Sequence, residues 1–235
     1  MKKVAIFAAM MAVAGASQAT SLDTYLQYTL DAASPWYAQA KVSNTWASGV
    51  NASMTAKLDS VADMSDFLVA DKGEVAVGYS TSAKLANDMT IKPAITFTLK
   101  PTTTSLKPAV TLSKGMFTFG LSHEVITVGN DKTALSAAIK APAGALTVDA
   151  KYTFTAIADA DDQHQVEIAP SYKMGSTTLK YSLTYKNVVG GDTTIDHYVS
   201  ADFAKLLGPN TSPYVRFDLK DDGTKSARGG LKISF

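Results

Sequence analysis

From Glu74 to the end of the chain, apolar residues fall at every second position in run after run. Val75, Val77 and Tyr79 open the series. Ile91, Pro93, Ile95, Phe97 and Leu99 continue it, then Leu106, Pro108, Val110 and Leu112, then Phe117, Phe119, Leu121 and Val125. Next come Leu135, Ala137 and Ile139, and Leu146, Val148, Ala150, Tyr152 and Phe154. Val166, Ile168, Pro170 and Tyr172 make another run, followed by Leu179, Tyr181, Leu183 and Tyr185. Ile195, Val199, Ala201 and Phe203 precede Val215, Phe217 and Leu219, and Leu231, Ile233 and Phe235 close the set. Period two is the side-chain period of a strand with one apolar and one polar face. The fold class is therefore all-β.

The stretch before Glu74 is less regular. Leu22, Leu26, Tyr28 and Leu30 predict a strand over 22–30. A second is expected over 36–43, after the Ser34-Pro35 break, and a third over 50–58 with Ala52, Met54, Ala56 and Leu58 on one face. Residues 59–73 do not alternate. Val61, Met64, Phe67 and Leu68 have rough helical spacing, which predicts the longest loop, carrying a short helix.

The front end sets the compartment. Lys2 and Lys3 precede an apolar run from Val4 to Gly15 and an exit of small residues at Ser17-Gln18-Ala19. This is the pattern of a secretory signal peptide. Residues 1–19 are expected to be removed, leaving 20–235 as a single domain. No cysteine occurs, so neither a lipoprotein anchor nor disulfides are available. After residue 19 no apolar stretch approaches the roughly 20 residues of a spanning helix. If the mature chain is embedded in a membrane, only a closed barrel remains, because lipid cannot satisfy an open sheet edge. With 22 basic and 21 acidic residues, the balance gives no reason to expect a nucleic-acid partner.

The last residues, Arg228 to Phe235, put Leu231, Ile233 and Phe235 on one face, and Arg228, Lys232 and Ser234 on the other. This ending resembles the C-terminal strand of Gram-negative outer-membrane β-barrels, which finish on a terminal Phe after alternating apolar residues. The resemblance spans the chain through generic features and carries no subfamily motif. It implies a transmembrane antiparallel up-and-down β-barrel of porin type in the outer membrane. It also implies that Leu231, Ile233 and Phe235 form the strand end read by the barrel-assembly machinery, with outer-membrane lipids as surroundings.

The connections fit that implication. Lys114-Gly115, Pro142-Ala143-Gly144 and Gly175-Ser176 are short Gly/Pro-type turns. They alternate with longer polar links over 129–132, 158–162, 188–192 and 221–226. Bacterial barrels pair short periplasmic turns with longer outer loops. The link 206–211 is long for its expected periplasmic side. Parity requires an odd number of strands before residue 74. Three before and eleven after give about 14 strands, with 12 as the alternative. Pro93, Pro108 and Pro170 lie inside apolar rows and oppose closure, since proline removes a ladder donor.

If the apolar rows face lipid, the residues between them line the interior. From residue 91 on, that row holds Lys92, Lys100, Lys107, Lys140, Lys151, Lys173, Lys180, Lys186, Arg216, Lys220, Arg228 and Lys232. It also holds Glu124, Asp149, Glu167, Asp196, Asp202 and Asp218, giving 12 basic against 6 acidic residues. The expected function is a porin for passive diffusion of small hydrophilic solutes with mild anion preference. The alternative is a structural or surface-binding barrel whose lumen is plugged, for which residues 59–73 are the candidate, either in the lumen or at the rim. Inward Tyr25, Tyr37, Tyr198 and Tyr214 also suit a path for acidic sugars.

An outer-membrane hydrolase is less well supported. His123 and His197 fall in the outward rows, Ser122 and His123 point to opposite faces, and no Gly-x-Ser-x-Gly or His-Glu-x-x-His motif occurs. Asp161-Asp162-Gln163-His164 is read as an outer loop, able to hold a divalent cation but more simply a solvated acidic loop. No catalytic residue, cofactor or metal is assigned. The short loops favour a monomer.

Overall fold

The computed structural model describes residues 20–30, 36–46, 48–58, 74–100 and 102–234. The expected signal peptide (1–19), the segment 59–73 and Phe235 lie outside them. The strands in chain order are β1 (Thr20–Thr29), β2 (Trp36–Thr45), β3 (Val50–Leu58), β4 (Glu74–Ser80) and β5 (Ala83–Lys84). They continue as β6 (Thr90–Leu99), β7 (Thr104–Lys114), β8 (Phe117–Ile126), β9 (Lys132–Ala143) and β10 (Leu146–Ile157). The series ends with β11 (Gln163–Met174), β12 (Thr177–Val188), β13 (Thr193–Phe203), β14 (Thr211–Leu219) and β15 (Lys225–Ser234). β5 has two residues, so the wall itself has 14 strands, the expected number rather than the alternative of 12.

Every wall strand pairs antiparallel with its sequence neighbours, β4 pairing with β6 across the short β5. The first and last strands then pair with each other, Leu22 opposite Ile233 and Tyr28 opposite Ala227. This seam closes the sheet into an up-and-down barrel and leaves no free edge. No helix among the described residues is long and apolar enough to cross a membrane. A barrel crosses with strands instead.

The two-residue turns β7–β8, β9–β10 and β11–β12 each place a glycine first, Gly115 (φ 56°), Gly144 (φ 65°) and Gly175 (φ 60°). A positive φ at that position matches the right-handed twist of the flanking strands. Two links on the same rim are long: 204–210 after β13, as expected, and 81–89 between β4 and β6, which alternation alone does not reveal.

The prolines are accommodated without loss of register. The β7–β8 ladder skips Lys107 and Pro108 and resumes at Ala109 opposite Ser122. The β11–β12 ladder skips Ala169 and Pro170 and resumes at Ser171 opposite Lys180. Beside Pro93, the partner chain leaves the ladder between β4 and β5. Each proline therefore interrupts one side of its strand while the other side stays paired, for example Pro108 opposite Ile95.

There is little apolar core. Among the described residues only Val42 and Ala169 are buried hydrophobics, whereas Phe217 is 60% exposed and Phe119 56%. Closed backbone pairing, not an oily interior, holds the described structure together. The wide apolar exterior suits a hydrocarbon surround.

Candidate pore wall

Directly paired residues share a face, so the register sorts every strand. Following the pairs from Asp23 round the sheet gives one continuous polar row: Lys41, Thr55, Glu74, Thr98, Lys107, Glu124, Lys140, Lys151, Glu167, Lys180, Asp202, Arg216 and Arg228 lie on it. Two contacts identify this row as the concave side. The Tyr214 hydroxyl on β14 donates to Asp23 on β1 at 3.2 Å, passing over β15. Lys232 Nζ on β15 reaches Asp202 on β13 at 2.7 Å, passing over β14. Side chains converge across an intervening strand only inside the curve of a barrel.

The wall has two unlike arcs. On β13, β14, β15, β1 and β2 the inner residues are bulky and mutually bound. The Arg216 guanidinium lies 3.6 Å from the centroid of Tyr198 and its Nε donates to Asp218 at 2.7 Å. Arg228 Nη2 donates to the other oxygen of Asp218 at 3.1 Å, and its guanidinium sits 5.1 Å from the Tyr25 ring. Asp218 is thereby forked between two guanidiniums, with its side chain only 10% exposed. Tyr214 can cross the wall because Gly230 lies beneath it. A Cβ there would stand 2.3 Å from the Thr24 carbonyl and 2.5 Å from the Tyr214 ring. This arc carries Lys41, Arg216, Arg228 and Lys232 against Asp23, Asp196, Asp202 and Asp218, four of each sign.

On β4 to β9 the inner row is mostly small: Gly78, Thr96, Ala109, Thr111, Gly120, Ser122, Ser136 and Ala138. Two open cavities lie against it. One, of about 520 Å³, is lined by Gly120, Ser136, Ala138, Lys140, Asp149, Lys151, Glu167 and Lys180. The other, of about 450 Å³, shares Gly120, Ser136 and Lys151 and adds Lys107, Glu124 and Lys132. From β4 to β12 the inner face carries Lys84, Lys92, Lys107, Lys132, Lys140, Lys151, Lys173, Lys180 and Lys186, nine in all. Four acids oppose them, Glu74, Glu124, Asp149 and Glu167. Their ion pairs are long and exposed, 3.8 Å for Lys107–Glu124, 3.9 Å for Lys140–Asp149 and 3.7 Å for Glu74 with Lys100, which stands just past β6 and outside the nine. Lys92, Lys132, Lys151, Lys173, Lys180 and Lys186 make no ion pair among the described residues.

The register puts the expected wall residues of the strands, Lys92, Lys107, Lys140, Lys151, Lys173, Lys180, Lys186, Arg216, Arg228, Glu124, Glu167 and Asp202, on this one face. Lys220 stands just past β14, where its N–H donates to the Thr224 carbonyl, so it belongs to the mouth rather than the wall. Lys132, expected in the link 129–132, opens β9 opposite Glu124. His164 is not in a loop. It is the second residue of β11, on the outward face, because the strand begins at Gln163 directly after the acidic pair.

All three histidines lie outward and each Nδ1 meets a hydroxyl: His123 with Thr133 at 2.9 Å, His164 with Tyr152 at 2.7 Å, His197 with Tyr181 at 2.7 Å. The two Tyr–His pairs are geometric copies, with ring centroids 6.1 Å apart and planes at 32°. No group of three or more metal-ligating side chains occurs among the described residues.

The chain matches no family model and no curated protein sequence. Solved structures do match. The KdgM porin aligns with 18% identity and a TM-score of 0.52, covering 92% of this chain and 99% of that one. A KdgM porin in complex with disordered oligogalacturonate aligns with 16% identity, a TM-score of 0.52 and the same coverage of 92% and 99%. A triple mutant of the Rhodopseudomonas blastica porin aligns with 13% identity and a TM-score of 0.54, again over 92% and 99%. At such identities the likeness concerns the fold, and it runs over nearly the whole barrel. The chain has the porin-like, fourteen-stranded up-and-down fold of Gram-negative outer-membrane β-barrels.

Proposed function

We propose that the protein is an outer-membrane channel for passive diffusion of small hydrophilic solutes, with mild anion preference. The observation that carries this reading is the inner face: one unbroken polar row around a closed sheet, with cations in excess. Water-filled cavities along that row would concentrate anions relative to cations. The apolar outer face supports residence in a bilayer, and the matched porins support the channel class. In this reading residues 1–19 direct export, and Leu231, Ile233 and Phe235 present the closing strand to the assembly machinery. The protein acts as a monomer without cofactor or catalytic residue.

A channel specific for acidic sugars is the narrower alternative, suggested by inner Tyr25, Tyr198 and Tyr214. Guanidiniums already cover the rings of Tyr25 and Tyr198, which leaves them poor stacking platforms and favours general diffusion. Pore-lining roles are proposed for the wall lysines, Arg216, Arg228, Glu124, Glu167 and Asp202, with Lys220 at the mouth. Single-channel recording of the refolded protein in a planar bilayer tests the reading. Stable open steps with an anion-shifted reversal potential in a salt gradient are expected. A folded, heat-modifiable barrel that does not conduct would favour the plugged barrel and direct attention to residues 59–73.

A further inference from the structure

The excess of inner cations is not spread around the wall. The strands β13, β14, β15, β1 and β2 are balanced, and the surplus of five lies on β4 to β12. The bulk is distributed in the opposite sense, since the balanced arc holds the tyrosines and arginines. We infer that permeating anions follow an off-centre lane along β7 to β12, with Lys151 and Lys180 as selectivity residues. The arginine pair, on an arc with as many acids as bases, acts as a prop that sets the width of the pore. This rests on the diffusion-channel reading and adds to it where selectivity resides.

Three observations carry it. The two cavities described above lie against the small-residue strands, and Lys151 lines both. Lys151 is paired in register with Glu167 yet makes no ion pair with it. Glu167 instead accepts a hydrogen bond from Ser182 at 3.2 Å. Lys180 stands 5.4 Å over the Tyr198 ring, at the border between the arcs, and lines the first cavity. By contrast Arg216 and Arg228 share Asp218, while Lys232 is held by Asp202. A cation bound to a carboxylate presents little net field to a passing ion, whereas an unpaired one presents its full charge.

The test uses reversal potentials and conductance of two refolded double variants. Lys151→Gln with Lys180→Gln is expected to lower the anion-to-cation permeability ratio by on the order of threefold, with conductance little changed. Asp218→Asn with Arg228→Gln removes one charge of each sign, and is expected to raise conductance while leaving the ratio unchanged. An unchanged ratio in the first variant, or loss of anion preference in the second, overturns the lane. If either variant fails to fold, single cysteines serve, since the chain has none of its own. Ser136→Cys in the lane should react faster with an anionic than with a cationic thiosulfonate, by several-fold more than Ser43→Cys, which stands between Ser21 and Ser53 on the balanced arc. Equal ratios at the two positions overturn the inference. A folded wild-type barrel that conducts nothing overturns the channel reading itself, and the lane falls with it.

Discussion

The arc from β13 through β15 to β2 and the arc from β4 to β12 share one sheet, one register and one outer surface, yet they fill the interior in opposite ways. The first is bulky, mutually bonded and electrically balanced. The second is small, open and basic. The contrast teaches that a closed barrel leaves its inner residues free. Backbone pairing satisfies the polar main chain on both arcs alike, so neither arc has to fill the interior to satisfy it. What lines the interior can then differ from side to side: side chains that prop on one side, side chains that leave room on the other.

The largest expected effect tests how tightly the first arc is built. Gly230→Ala would drive a Cβ against the Thr24 backbone and the Tyr214 ring. A cost of about 3 kcal/mol is expected in equilibrium unfolding of the barrel, because neither neighbour can yield cheaply. Gly120→Ala on the second arc meets the Ser136 hydroxyl at 2.7 Å, which can rotate away, and the Val110 carbonyl only at an ordinary contact of 3.9 Å. Its cost should stay within about 0.5 kcal/mol. Equal costs at the two glycines would remove the distinction between a packed arc and an open one.

Next in size is the fork at Asp218. Asp218→Ala leaves two guanidiniums of the wall without their carboxylate, and about 2 kcal/mol of destabilisation is expected, less than for a fully buried pair because water reaches both arginines. The same change also makes the balanced arc positive, so anion preference in bilayer recordings should rise. Asp202→Ala breaks a pair whose side chains are 50% and 36% exposed, and should cost no more than about 0.5 kcal/mol. An Asp218 variant as stable as wild type would mean that the arginines are held by their tyrosines alone.

A third, smaller effect asks whether the difference stops at the inner face. Tyr152→Phe and Tyr181→Phe each remove one hydroxyl from an outward Tyr–His pair. Since the pairs are copies, each should cost about 1 kcal/mol, and the two costs should agree. A clear inequality would show that the inner contrast is transmitted through the sheet.

Much of the fold was legible because period two leaves few alternatives. The alternation placed β3 at Val50–Leu58 and gave the strand number through parity. It also grouped the polar residues of each strand on one face, which the register joins into a single row once neighbours pair directly. The misses have physical reasons. Lys132 and His164 read as link residues because polar residues beside a loop look like loop, while a ladder extends as far as its partner allows. The prolines read as obstacles because a sequence does not show that one side of a ladder can lapse while the other keeps the register. The two arcs were hidden for a deeper reason. Which strands face one another across a lumen depends on closure, and pairs such as Tyr214–Asp23, 191 residues apart, exist only after β1 meets β15.

The smallest effect concerns the mouth above the balanced arc. There the loop 220–224 carries Lys220 beside Asp221 and Asp222. The Thr224 side chain and its backbone N–H, at 2.8 Å, hydrogen-bond to Asp222 and, with the charge of Lys220, hold its carboxyl below the usual carboxylate range. A depressed value means that the negative charge is present above it and is lost only as pH falls through it. The Asp222 side chain is fully in solvent, so the expected consequence is local and electrostatic rather than a change in stability. Asp222→Asn should raise anion preference slightly at neutral pH, and the difference from wild type should persist through the ordinary carboxylate range before vanishing at lower pH. Thr224→Val should bring that vanishing point back up. Reversal potentials recorded at stepped pH check both. A difference that disappears already in the ordinary range in the wild-type loop would mean that Thr224 does not hold Asp222, and that the balance of this arc ends at the barrel rim.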